Sequence, residues 1–279
     1  VGDLGQDTAV RATGEGRFEA TLSQEWEIWG PMGGYVASCA LRAAGAAGSH
    51  PRPVAFSCHY LGAARFGTVD LRVETRKGGR SASAQRVELS QEGRPILDAM
   101  VWSAADEIEG LEHDDTVAPE VPGPEALPSM AELVPEGTPA RYPFWNNLES
   151  KPTAFEAVWP PAESRPPVWQ EWLRFVPTAT FDDPWVDAAR SLILVDLPSW
   201  PSAYRRHATS QPPFTAPTLD LNVAFHRPPN GRDWLLCDGS APLSTEGLFG
   251  WTARVWSPGG TLHASGGGQC LYRRIPTAP

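Results

Sequence analysis

At 279 residues with 41% hydrophobic side chains, the chain allows one large domain or two of about 140 residues. A net charge of −10, from 23 basic and 33 acidic side chains without a Lys/Arg cluster, disfavours a sequence-independent grip on nucleic acid. No apolar run reaches the roughly 18 residues a membrane span needs. The four cysteines, Cys39, Cys58, Cys237 and Cys270, form no C-x-x-C pair, which argues against a disulfide scaffold or a structural zinc site and for buried reduced thiols. The opening "VGDLGQDTAV" carries neither the charged nor the apolar region of a signal peptide, so the expectation is a cytoplasmic protein.

In chain order, the first clear element is the small-residue run from Gly34 to about Ala47, which has the spacing of a buried helix. Four strand-like runs follow: "VAFSCHYL", "TVDLRVETRKG", "SASAQRVELSQEG" and "RPILDAMVWSA". Gly78-Gly79 and Glu92-Gly93 supply hairpin turns between them. Residues 106–150 open with an acidic, proline-rich stretch that buries too little apolar surface for a core, and read as a surface linker. Beyond it, "DDPWVDAARSLILVDLPSW" starts with acidic residues and Pro184, as a helix N-terminus does. Four more strand-like runs complete the chain: "TLDLNVAFHR", "RDWLLCDGSAPL", "FGWTARVWSP" and "TLHASGGGQCLYRR". The order of one helix and four strands therefore occurs twice, in residues 1–105 and 151–279. Tyr60-Leu61-Gly62-Ala63 falls on Phe225-His226-Arg227-Pro228 at an offset of 165. Glu92-Gly93-Arg94 falls on Pro258-Gly259-Gly260 at an offset of 166. A long helix and a long antiparallel sheet, repeated, predict an α+β fold in which each sheet wraps around a central helix. The two sheets can join edge to edge and so hide their long edges.

Three stretches carry a family resemblance. "WGPMGGYVASCALRAA", "APTLDLNVAFHRPP" with "DWLLCDGSAPLSTEGLFGWTARVW", and "GGTLHASGGGQCLYRR" resemble the double hotdog acyl-CoA thioesterases, the acyl-CoA thioesterase II family. The resemblance implies two fused hotdogs, an N-terminal one in residues 1–105 and a C-terminal one in residues 151–279. It also implies hydrolysis of acyl-CoA, or another acyl thioester, by activated water with no metal or organic cofactor. The family's catalytic aspartate falls on Asp196 in "LILVDLPSWP", and its hydroxyl falls on Thr218 in "APTLD". Counted from Ala264-Ser265, its glutamine falls on Gly268, one place before Gln269. One residue along a strand turns a side chain to the other face. Either a bulge among Gly266, Gly267 and Gly268 returns Gln269 to the site, or that role is missing.

The residues themselves support parts of this chemistry. Asp196 lies between "LILV" and "LPSW", apolar surroundings that raise a carboxyl pKa and suit a base, although an Asp also serves to end a helix before Pro198. Thr218 either holds the attacking water or is an ordinary β-branched residue opening a strand. Asp220, two places on, is expected on the same face as Thr218, supporting the site or pairing with an arginine. Unpaired amides at a helix N-terminus suit a developing oxyanion, and Gly34 and the Tyr35 amide are the candidates. A tight helix entry against the sheet accounts for the glycine pair equally well. No Lys follows the glycines, which removes a Walker-type phosphate loop. Arg205 and Arg206 are candidates for the phosphates of CoA. His59 and His226 read as satisfied strand histidines, and the crowded tryptophans around residues 145–185 as core, with some lining an acyl channel. The alternative to hydrolysis is an acyl-thioester-binding or accessory protein on the same fold. A hydratase is disfavoured by the lack of a His/Asp motif at the first helix. Assembly into a homo-oligomer is left open.

Overall fold

The computed structural model describes residues 1–138, 140–159, 161–207 and 214–275. Its first half contains α1 (Leu4–Asp7), β1 (Arg11–Gly14), β2 (Arg17–Leu22), α2 (Gly33–Ala47), β3 (Arg52–Tyr60), β4 (Gly67–Lys77), β5 (Ala82–Gln91) and β6 (Arg94–Ala104). A short α3 (Met130–Leu133) leads to β7 (Leu148–Pro152), β8 (Val168–Phe175), α4 (Pro184–Asp196), α5 (Ser199–Tyr204) and β9 (Phe214–Thr215). The chain continues with β10 (Thr218–Phe225), β11 (Leu235–Thr245), β12 (Leu248–Trp256), β13 (Leu262–Leu271) and β14 (Arg273–Arg274).

Twelve strands form one sheet in the order β1-β2-β4-β5-β6-β3-β10-β13-β12-β11-β8-β7. The order reads the same from either end once each strand is replaced by its repeat, so the molecule has two hotdog units related by a pseudo-twofold axis. That axis runs through the central β3–β10 pair. Ser57 pairs with Asn222, and these residues stand 165 apart, the offset by which the two halves superpose in sequence. The outermost strands, β1 and β7, have only four and five residues, so no long edge is left open. The strand before each helix, β2 or β8, extends the expected set.

Both long helices are buried on nearly every face, and their residues are mostly apolar or small. Small residues let α2 and α4 run close together: a methyl on Gly34 would lie 3.0 Å from Ile193 Cα. Asp183 caps α4 by accepting from the Trp185 N–H at 2.9 Å, and Pro184 stands at the first helical position. Within α4, the buried Arg190 donates to Asp187 and to the carbonyls of Ala179 and Arg232, which satisfies an otherwise costly charge. All four cysteines are reduced and buried.

The linker between the repeats is packed down in part. Ala118, Val121 and Leu127 cover Trp172, Leu236 and Trp256 on the outer face of the sheet's C-terminal half, and Trp172 Nε1 donates to the Pro122 carbonyl at 2.9 Å. β7 begins at Leu148, inside the stretch expected to be linker.

Candidate active site

The N-terminus of α2 and the C-terminus of α4 meet beside the start of β10, at one wall of a large cavity. Asp196, the last residue of α4, is 5% exposed. Its Oδ2 accepts from the Gly34 N–H at 2.7 Å, and its Oδ1 accepts from the Thr218 hydroxyl at 3.4 Å. Burial pushes its pKa up to about 6, against the smaller opposing pull of those two donors. A carboxylate poised there is mostly ionised at neutral pH and still accepts a proton readily.

The structure brings Asp196, Thr218 and Gly34 together, but it gives Gly34 a different task from the one expected. The Gly34 amide is engaged by Asp196, and the Tyr35 amide donates to Met32 Sδ at 3.3 Å, so neither faces a substrate carbonyl. The first helical turn grips the carboxylate instead. The neighbouring Gly33 N–H has no acceptor among the described residues. A methyl on Gly33 would stand 3.0 Å from Asp196 Oδ2 and 3.3 Å from the Tyr60 hydroxyl. This crowding places all three groups at one spot.

Gln269 does not reach the site. β13 runs through the glycines in unbroken register, with Gly266, Gly267 and Gly268 opposite Val223, Asn222 and Leu221. The register shift lies instead in β10, between Thr218 and Asp220. Gln269 is therefore exposed on the outer face. The three glycines serve close strand contact: a methyl at Gly266 or Gly268 would run into the carbonyls of Asn222 or Asp220. The same bulge corrects the expectation for Asp220. It sits outside with Gln269, accepting from the Gln269 N–H at 3.1 Å and the Asn222 side-chain amide at 2.9 Å. Opposite Thr218 stands Cys270, whose Sγ lies 3.8 Å from the Thr218 hydroxyl. Burial and the nearby Asp196 push its thiol up to about 12, so it stays protonated.

Tyr60, at the end of β3, also comes to this spot and borders the cavity, which sequence reasoning missed. Its hydroxyl is buried with no hydrogen-bond partner among the described residues. Burial, with Cys58 and Asp196 nearby, holds its pKa well above the phenol's usual value. The only signal in the sequence was its place at the repeat position of Phe225. Arg205, proposed for phosphate, is committed elsewhere: it donates to the Val168 carbonyl at 2.9 Å and to Glu156 at 3.4 Å. Arg206 donates to Ser164 at 3.3 Å. His59 and His226 stand on the outer face, and His226 bonds Ser265 at 2.9 Å.

The cavity has a volume of about 1560 Å³ and a mainly apolar lining that includes Met32, Val36, Trp145, Trp169, Leu197 and Trp200. Asp196, Thr218, Gly33 and Tyr60 also border it, and Arg141 and Arg273 are exposed where they line it. The arrangement offers a base, a hydroxyl and unpaired donors beside an apolar channel.

The fold and this cavity define a double hotdog protein. The family described as the acyl-CoA thioesterase N-terminal domain matches residues 22–104, and that described as the C-terminal domain matches residues 120–267. The chain belongs to the acyl-CoA thioesterase family. Its likeness to solved structures bears on fold. An acyl-CoA thioesterase II, TesB2, from Mycobacterium marinum is 20% identical, with a TM-score of 0.78 over 98% of this chain and 99% of that one. The tesB protein of Mycobacterium avium subsp. paratuberculosis is 22% identical, with a TM-score of 0.74 over 98% of each chain. Among curated sequences, an uncharacterized protein of Mycobacterium bovis is 32% identical in an alignment 179 residues long that covers 56% of this chain. That match spans 61% of the relative's own length.

Proposed function

We propose that this chain hydrolyses acyl thioesters, with acyl-CoA as the substrate class, through water activated by Asp196. The observation that carries the reading is the buried Asp196 carboxylate, held by the Gly34 N–H beside an apolar cavity large enough for an acyl chain. In the first step, water held between Asp196 and the Thr218 hydroxyl attacks the thioester carbonyl carbon and passes its proton to Asp196. The Gly33 N–H and the Tyr60 hydroxyl are the donors available to the oxygen that becomes negative. Collapse of that intermediate breaks the C–S bond, and the proton on Asp196 leaves with the thiolate as free thiol. Arg141 and Arg273, exposed at the cavity, suit the phosphates of CoA better than the committed Arg205.

The test is release of free thiol from a series of acyl-CoAs by wild type and Asp196→Ala. Equal rates would remove Asp196 from the chemistry. One observation favours a second reading, binding without hydrolysis: the Gln269 amide is outside, and the apolar thiol of Cys270 faces Thr218 instead. Saturable acyl-CoA binding with no thiol released by wild type would establish that reading.

A further inference from the structure

Along the same cavity, the inner face of the C-terminal half of the sheet carries another buried carboxylate. Glu171 lies in β8 and is only 4% exposed. It borders the same cavity as Asp196, together with Ser150 of β7. The Ser150 hydroxyl donates to Glu171 Oε1, and Oε2 makes no hydrogen bond to the described residues. No Lys, Arg or His among the described residues forms an ion pair with it. Burial, with no opposing charge nearby, pushes its pKa up to about 8, so the group is mostly the neutral acid at pH 7. Placing a carboxyl between Trp169 and Leu173 on the inner face of β8, with Pro152 and Cys237 opposite it on the neighbouring strands, costs stability that a leucine there would not.

β8 lies four strands from β10, at most roughly 19 Å at about 4.8 Å per strand measured along the curved sheet, and both carboxylates border the one cavity. A chain whose thioester sits at Asp196 therefore reaches Glu171 with its distal part, not with the atoms next to the carbonyl. We infer that Glu171 and Ser150 form a tail subsite for an acyl chain bearing a hydroxyl or carbonyl oxygen away from the thioester. This inference rests on the thioesterase reading for the position of the head group. A neutral carboxyl both donates to and accepts from such an oxygen, and among the described residues Glu171 Oε2 is left free for it while Oε1 is held by Ser150. A plain hydrocarbon chain would instead leave the carboxyl unpaired, which is how a polar site rejects an analogue lacking its oxygen.

The experiment compares thiol release from unsubstituted acyl-CoAs with that from chains of the same length carrying a hydroxyl or keto group at successive positions. In parallel, it measures binding of the corresponding free acids by displacement of a fluorescent fatty acid. Wild type is expected to favour oxygenated chains at one distal position by about tenfold or more in kcat/KM and in affinity. Glu171→Leu should fold, lose that preference and gain on plain chains, whereas Glu171→Gln, which keeps a donor and an acceptor, should retain most of it. Hydrolysis with equal use of plain and oxygenated chains by wild type and both variants overturns the subsite and leaves the thioesterase reading standing. The converse result, no hydrolysis but tighter binding of oxygenated acids that Glu171→Leu abolishes, supports the subsite and overturns hydrolysis.

Discussion

The pseudo-twofold axis gives the helix pair two equivalent ends, and only one of them brings a buried carboxylate, a hydroxyl and a helix-start glycine pair together. At the first, α4 ends in Asp196, β10 opens with Thr218, and Gly33-Gly34 of α2 closes on the carboxylate. At the second, α2 ends in Ala47, and the place of Thr218 in the repeat is taken by Pro53, which pairs with Ser103 as Thr218 pairs with Cys270. Even the bulge recurs, between Pro53 and Ala55 as between Thr218 and Asp220. The second end is filled: Ser103 bonds Ser83, Gln85 bonds Ser83, and Trp185 packs against Gly45. The backbone thus offers the same corner twice, and side chains alone decide which becomes a site.

The sharpest way to break this asymmetry is at Asp196. Asp196→Asn keeps an acceptor for the Gly34 N–H but removes the base, and thiol release should fall by about 10²–10⁴-fold. The same change should stabilise the protein at pH 7. The folded pKa of about 6 lies above the ordinary 3.8, so the contribution of this group to stability is full below pH 3.8 and is lost as pH rises through 6. That loss amounts to about 3 kcal/mol at neutral pH, and an uncharged Asn recovers part of it. A melting temperature several degrees above wild type at pH 7, with the gap closing by pH 4, is the expected result. A lower melting temperature at both pH values would mean that the charge holds the helix ends together.

The pH profile tests the same group in wild type. If Asp196 is the base, as proposed, its ionised form carries the reaction, and kcat/KM should rise through a pKa of about 6 and drop about tenfold per pH unit below it. Asp196→Asn should show a flat residual rate across that range. A wild-type rate constant from pH 4 to 8 would rule Asp196 out as the base.

Gly33 and Gly45 compare the two ends directly. Gly33→Ala sets a methyl 3.0 Å from Asp196 Oδ2, and displacement of the carboxylate or of Tyr60 should cost roughly tenfold or more in kcat with little loss of stability. Gly45→Ala drives a methyl into the Trp185 ring and should cost about 1–3 kcal/mol in denaturant unfolding while kcat stays near wild type. If both variants lose activity alike, the helix pair acts as one unit and the ends are not independent.

The repeat was legible because helices and strands carry their own periodicity, and the offset read between Tyr60 and Phe225 is the one that makes the β3–β10 pairing symmetric. Asp196 and Thr218 were legible through the resemblance. The bulge was not, because neither Leu219 nor Val54 bears any mark of it; bulges follow from how two strands twist together. Glu171 was missed for a related reason. In "VWQEWLRF" both faces carry aromatic and apolar residues, one face towards the cavity and the other towards the linker, so no alternation marked an inward acid. Tyr60 looked like any strand-end aromatic until the helix ends closed around its hydroxyl.

The smallest expected effect falls on the residue that the sequence left most open. Gln269 is one step from Gly268, and an inward Gln269 would have supplied the site with an amide. With unbroken register through the glycines, its side chain lies outside, and its backbone N–H already serves Asp220. Gln269→Ala should therefore change kcat/KM by less than about twofold and stability by less than about 0.5 kcal/mol, as an exposed surface substitution does. Gly268→Gln is no rescue, because its side chain would start against the Asp220 carbonyl and the Trp251 ring. A large loss of activity in Gln269→Ala, with unfolding unchanged, would show that β13 shifts by one residue when substrate binds. The two ends of the helix pair would then differ in strand register as well as in side chains.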